Sequence, residues 1–286
     1  METKNPREIR KRIKSVTDTE QLTKAMKMVA SVRFKRAYQL MAANRPYSES
    51  LKHLVSDLAA SLGDGIDHPY FKAGAKAKRE LLVVVGADKG LCGSYNSNML
   101  RFAAKYIAGK KPGSVDIIAI GKKVKDYLVR RNYKVIDSEV GIFQAFNYKL
   151  SADMADKLVD EFLDSEYAEV NLLYNEFRNA AQTIIKVEHL LPLSIKGKKS
   201  NLDYIYEPGM QKILEVLLPK YLKVCVHKMF LEANASEQGL RMSSMDQANK
   251  NARDIIKDLT LVYNKARQGS ITRELADLVG GAEAVV

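Results

Sequence analysis

The chain has 286 residues, with 46 Lys and Arg against 34 Asp and Glu, giving a formal net charge of +12 at pH 7. Its 46% hydrophobic and 28% charged residues suit a core of one or two domains and exclude wholesale disorder, while the longest apolar run, Leu81 to Val85, falls far short of the roughly 20 residues of a transmembrane helix. Two cysteines, Cys92 and Cys225, exclude a disulfide scaffold and a thiolate-built zinc site, no apolar block follows the basic start Met1 to Arg12 as a secretory signal requires, and a pI near 9.4 points to an acidic partner: nucleic acid, an anionic membrane face or another protein.

Asn5-Pro6-Arg7-Glu8 reads as a helix start, with Asn as N-cap, Pro at the first helical position and Glu three residues after the cap. Apolar or small residues then recur at alternating steps of four and three, at Ile9, Ile13, Val16, Thr23, Ala30, Phe34, Ala37, Met41, Leu51, Val55, Leu58 and Leu62. This is a heptad seam, interrupted at Glu20, Lys27, Asn44 and Ser48. Pro46 predicts a kink without a break, and Gly63-Asp64-Gly65 predicts the stop.

The centre alternates. Leu81 to Val85 reads as a buried strand, Asn98 to Ala108 as a helix, Val115 to Ile120 as a strand and Lys122 to Arg131 as a helix. Tyr133 to Ile136 is extended, Met154 to Leu163 helical, and Val170 to Tyr174 and Thr183 to Leu190 are further strands. The pattern predicts an α/β domain on a parallel sheet, flanked by flexible pieces at Asp64 to Lys78 and Lys196 to Asn201.

After a Glu207-Pro208-Gly209 turn the seam returns, through Leu214, Leu217, Tyr221, Val224, Leu231, Ala235, Met242, Met245, Ala252, Ile256, Leu259, Tyr263 and Ala266. Pro219 marks a second kink, and the next punctuation is Gly280-Gly281, so Lys220 to Val279 is predicted as one helix of roughly 90 Å at about 1.5 Å per residue. Two such helices bracketing one domain pair antiparallel, as a shaft with a knob at one end; a bundle of shorter helices is the alternative.

The Gly-rich loop Gly86 to Asn96 follows a strand and precedes a helix, where phosphate loops occur, but its spacing fits neither G-x-G-x-x-G nor G-x-x-x-x-G-K-[ST]. Its glycines also suit a plain tight turn, with Asp88 and Asn96 bonding local backbone. His53, His68, His189 and His227 are scattered, with no helical pair and no carboxylate placed to orient a base. Asp153, Asp156, Asp160, Glu161 and Asp164 read as a solvated helix face, and Cys92, near a helix start, lacks a partner histidine. Arg7, Arg10, Lys11, Arg12, Lys14, Lys24, Lys27, Arg33, Lys35 and Arg36 could follow a phosphate backbone, yet no base-reading motif accompanies them and acidic protein walls serve equally. No catalytic, metal or cofactor residue is assigned.

Leu22-Thr23-Lys24-Ala25-Met26-Lys27-Met28-Val29-Ala30 with Arg45-Pro46-Tyr47 resembles the N-terminal helix of the gamma subunits of rotary F-type ATP synthases. Asp88-Lys89-Gly90-Leu91-Cys92-Gly93 with Asn96 is similar to that family's central loop, and Tyr204-Ile205-Tyr206-Glu207-Pro208 to its entry into the last helix. Ser236-Glu237, Arg241-Met242, Asn251-Ala252, Leu261 to Thr272 and Gly280-Gly281-Ala282 follow the family pattern most closely.

The resemblance implies a long antiparallel coiled coil of terminal helices with a Rossmann-like α/β domain between them, divided at 1–63, 64–203 and 204–286. It implies a non-catalytic rotor without a cofactor of its own. Its shaft turns inside three alpha and three beta subunits, its knob meets the epsilon subunit and the c-subunit ring, and rotation couples ion flow to ATP synthesis or hydrolysis and regulates the ATPase. It further implies that Met26 and Lys27, opposite Arg267, Gln268 and Thr272, meet the beta subunits, that Tyr204, Tyr206 and Glu207 lie near the c ring, and that Asp88, Gly90, Cys92, Gly93 and Asn96 form a structural loop. Substituting Met26 by Lys is then expected to impair coupling more than hydrolysis. Without the chloroplast relatives' inserted cysteine pair, a bacterial complex is indicated, with this chain on the cytoplasmic face of the inner membrane, held there only through the complex, and binding no nucleic acid.

Overall fold

The computed structural model describes residues 5–62, 68–72, 77–144, 146–164, 167–194, 206–207 and 209–283. The order is α1 (Pro6–Leu62), a 3₁₀ turn at Pro69–Phe71, β1 (Arg79–Val85), α2 (Tyr95–Ala108), β2 (Val115–Ile120), α3 (Lys122–Arg130), β3 (Val135–Glu139), α4 (Tyr148–Asp164), β4 (Tyr167–Asn179), β5 (Gln182–Leu191) and α5 (Met210–Glu283). Asn5 caps α1 as expected, its side-chain oxygen accepting from the Arg7 N–H at 3.0 Å. Both long helices continue through their internal prolines, Pro46 and Pro219, and α5 also runs through Gly280-Gly281. Residues 63–67, 73–76 and 195–205, which carry the expected stop and most of the expected flexible pieces, lie outside the described residues.

Two units divide the chain: Met1–Ala30 with Met242–Val286, and Ser31–Arg241. In the first unit the pairing is antiparallel, with Lys27 against Asp246, Thr23 against Asn249 and Glu20 against both Asn249 and Arg253. Ile9, Ala30, Met245 and Ala252 are buried along its seam. The seam's interruptions are where its polar bonds form: Asn249 Nδ2 donates to the Glu20 carbonyl at 2.8 Å, and Lys27 Nζ donates to Asp246 at 2.5 Å.

The second unit is built on a five-stranded sheet, ordered β3-β2-β1-β4-β5. β1 has every residue from Glu80 to Val85 buried, as a central strand covered on both faces requires. Alternate side chains go to opposite layers. Leu82, Val84, Ile117 and Ala119 pack with Met99, Ala103, Val124 and Leu128 of α2 and α3, while Leu81, Val83, Val85 and Ile118 pack with α4 and with residues of α1 and α5, among them Val55, Leu58, Leu218 and Phe230. The first four strands are parallel, but the sheet is mixed rather than parallel throughout. β5 runs antiparallel because only Ala180 and Ala181 separate it from β4, and a turn that short reverses the chain. β4 also extends past the predicted Tyr174, since Asn175 is buried and hydrogen-bonded instead of marking the strand's end.

Candidate functional site

In a sheet of this order the default ligand crevice opens between β1 and β4, where the crossovers reverse direction. The Gly-rich loop stands there, and its polar groups are turned inward. Asp88 accepts from the N–H groups of Lys122 at 2.9 Å and Gly141 at 3.0 Å, tying the loop to the start of α3 and to the turn after β3. Asn96 Oδ1 accepts from the Ala87 N–H at 3.0 Å and Nδ2 donates to the Lys89 carbonyl at 3.4 Å. Leu91 and Gly93 take positive φ, of 60° and 59°, which makes the turn tight.

α5 covers this crevice. Ala87, Cys92 and Tyr95 form a buried cluster against Leu240, and the Tyr95 hydroxyl donates to the Ala233 carbonyl at 3.3 Å. Arg241 donates to the Gly90 carbonyl at 3.3 Å and pairs with Glu237 at 2.6 Å. Burial pushes the Glu237 carboxyl above its ordinary range against the pull of Arg241, and burial likewise raises the Cys92 thiol, which leaves it protonated and a poor nucleophile. Side chains of α5 thus pack directly on the loop, and Asp88, Gly90, Cys92, Gly93 and Asn96 belong to one turn.

Several other titratable groups are also engaged. His189 Nδ1 lies 3.0 Å from Asn171 Oδ1 and Nε2 lies 2.8 Å from the Pro192 carbonyl. The sequence pattern placed no carboxylate to orient a histidine, yet the fold brings Glu169 to 4.0 Å from His189. His227 meets Ser151 at 2.9 Å, but Ser151 is fully buried and burial lowers the imidazole's pKa, so the pair is closed to a substrate. Burial pushes Cys225 up to about 12. At the strand ends opposite the loop, Asp116 holds Arg79, Lys134 and the Tyr167 hydroxyl, while Glu80 holds Lys110, Tyr106 and Asn171. Among the described residues no group of three or more His, Cys, Asp or Glu is arranged to hold a metal ion.

The residues expected to face partners divide. Met26 and Lys27 are half-buried in the helix pair, whereas Arg267, Gln268 and Thr272 are exposed. They are not opposite one another: Lys27 faces Asp246, and Arg267 lies about 30 Å further along α5 at about 1.5 Å per residue. Lys27 beside Asp246 holds that carboxyl below its usual range. Tyr206 is half-buried against the core, Glu207 is exposed, and Tyr204 lies outside the described residues. Arg45 and Glu232, which carry the most heavily bonded contact between α1 and α5 in the second unit, went unassigned. Their signal was a charge, Glu232, set inside the apolar run Met229 to Ala233.

A family model described as ATP synthase matches residues 5–285. The chain is 39% identical over 290 residues to the ATP synthase gamma chain of Cytophaga hutchinsonii, covering 98% of each, and 41% identical over 287 residues to that of Flavobacterium psychrophilum, covering 98% of this chain and 99% of the other. The chain belongs to the ATP synthase gamma-chain family. Its fold resembles a chain of the Tetrahymena thermophila mitochondrial ATP synthase central stalk and c ring, with TM-score 0.62 and 27% identity over 79% of this chain and 99% of that one. For a gamma-chain relative, the filled crevice and the ion-paired helices are the features on which a role must be built. No helix among the described residues is long and apolar enough to cross a membrane.

Proposed function

We propose that this chain is the central-stalk rotor of an F-type ATP synthase and makes or breaks no bond itself. In this reading the alpha and beta subunits, three of each, surround the paired helices. The epsilon subunit and the c ring hold the sheet domain, and ion flow through the ring turns the chain so that each beta site changes affinity in succession. The stalk also regulates ATP hydrolysis. It sits on the cytoplasmic face of the bacterial inner membrane, attached through its partners alone. The division into 1–63, 64–203 and 204–286 separates the two coiled-coil helices from the sheet domain between them.

The observation that carries the reading is the antiparallel pairing of the chain's two ends in a unit of their own, with full-length family membership beside it. The filled crevice supports a non-catalytic role. Arg267, Gln268 and Thr272 are exposed and free to meet the beta subunits, with Met26 and Lys27 forming a second, separate level of contact, and Tyr204, Tyr206 and Glu207 belong to the c-ring side. The net charge of +12 suits acidic surfaces on the surrounding subunits.

The test is to co-express the chain with the alpha and beta subunits of its own organism and record ATP-driven motion of a bead fixed to the sheet domain. Unidirectional steps of about a third of a turn are expected, matching three equivalent sites. An assembly whose ATPase is indifferent to this chain would overturn the reading.

A further inference from the structure

β4 pairs with β1 only as far as Leu173, so beyond that residue β4 and β5 form a two-stranded arm with no third strand beside it among the described residues. Such a ribbon is marginally stable alone, and its stiffness has to come from whatever grips it. The grip is at Phe177. Glu232, on α5 and 1% exposed, accepts from the Phe177 N–H at 2.9 Å and from Arg45 Nε and Nη2, on α1, at 3.0 and 3.2 Å. Arg45 Nη2 also donates to the Phe177 carbonyl at 3.3 Å. One residue of the arm is therefore held on both sides of its main chain, by one side chain from each long helix.

Neighbouring contacts repeat the grip. Ser236 donates to the Asn175 carbonyl at 3.0 Å, and Gly239 lets the hairpin turn approach so closely that a Cβ would stand 3.2 Å from Ala180 Cα. Glu232, Ser236 and Gly239, at i, i+4 and i+7, share one face of α5. On the α1 side, the rings of Phe34 and Tyr38 lie 5.8 and 5.6 Å from that of Phe177.

An ion pair with one buried partner adds little stability, because desolvating Glu232, 1% exposed beside an Arg45 side chain 41% exposed, cancels much of the attraction, and apolar packing does as well. Apolar contact is non-directional, however, whereas a two-pronged guanidinium–carboxylate pair fixes angles. We propose that Arg45, Glu232 and the Phe177 main chain form a torque-bearing joint, making the β4–β5 arm and its sheet turn as one body with the adjoining segments of α1 and α5. The proposal rests on the rotor reading. Arg45 and Glu232 are positioning residues within it, acting through angular stiffness and touching no substrate.

The joint is tested in the assembled complex, with the alpha and beta subunits immobilised and a bead attached through Lys123→Cys on exposed α3. Arg45→Ala and Glu232→Gln should raise the bead's angular variance at a stalled position about twofold or more, since each removes fixed-angle bonds. Ions pumped per ATP hydrolysed should fall while hydrolysis itself changes by less than about twofold, a split that loss of folding would not produce. Arg45→Lys, which keeps the charge and loses the planar fork, should remain loose. Wild-type variance in Glu232→Gln and Arg45→Ala would sink the joint. If Arg45→Ala does not assemble, Glu232→Gln and the milder Ser236→Ala decide the matter in the same way. A wild-type bead that does not rotate defeats the rotor reading itself, whereas rotation with unchanged variance defeats only the joint.

Discussion

Gly121 and Gly90 both belong to the turns at the carboxyl ends of the central strands, but only one of them has to be glycine. Gly121 has φ +96°, and a Cβ there would stand 2.5 Å from the Gly86 carbonyl oxygen, whereas nothing lies within 4 Å of a Cβ at Gly90. Gly121→Ala is expected to cost about 2–4 kcal/mol and Gly90→Ala less than about 0.5 kcal/mol, as urea denaturation would measure. Glu188 offers a pH test. Burial raises its carboxyl, but the Tyr174 hydroxyl at 2.5 Å and the charges of Lys186 and Lys228 more than reverse this, so its folded pKa lies below the ordinary 4.5. A depressed acid stabilises the fold fully above its unfolded pKa and loses that contribution as pH falls through the folded value. Tyr174→Phe should therefore cost about 1–3 kcal/mol at neutral pH, with the gap to wild type closing in acid denaturation below the unfolded carboxylate pKa.

Along α5 the heptad positions are chemically alike, but their burial is not. Val224, Leu231 and Ala235 are buried, whereas Ile256, Leu259, Tyr263 and Ala266 are only half-buried. In the free chain, hydrogen exchange should accordingly be slowest from Val224 to Gln238 and should quicken by orders of magnitude beyond Ala252. Leu58→Ala on α1, at a fully buried seam position, should cost about 2–5 kcal/mol in the same denaturation series, and Leu261→Ala, 69% exposed, close to nothing. The periodicity made both helices legible because a seam at steps of three and four has one structural solution, and the alternation of the centre placed all five strands. What the pattern did not carry was direction and depth. β5 was legible as a strand, while its antiparallel sense depended on a two-alanine turn without glycine, marked by Asn179, whose side chain accepts from the Ala181 N–H at 2.9 Å. The register of the helix pair was hidden for a similar reason. A heptad seam can slip by whole repeats, and it is Glu20, Lys27, Asp246 and Asn249, polar interruptions with no apolar signature, that fix the alignment. Met26 and Arg267, which the resemblance set opposite each other, accordingly stand apart along the pair, where Lys27 meets Asp246.

For the whole chain, the charge excess affects encounter more than folding. With a net +12, association with acidic partner surfaces should be steered at low ionic strength, and stopped-flow assembly should slow about tenfold or more between dilute buffer and about 0.5 M salt, with a smaller change in dissociation. The helix pair also joins the first element of the chain to the last. During synthesis, α1 is complete at Leu62, but Leu231 and Ala235 of α5, which pack with Met41, and the α5 residues that share a core with Val55 and Leu58 are not made until after Met210. At about 5–20 residues per second that interval lasts on the order of ten to thirty seconds, far longer than a helix takes to form. Each newly made chain therefore carries a finished amphipathic helix with its greasy side uncovered while still tethered to the ribosome. That surface stays partly open for the whole interval, and a message broken anywhere before its final third yields a product without the helix that completes its cover.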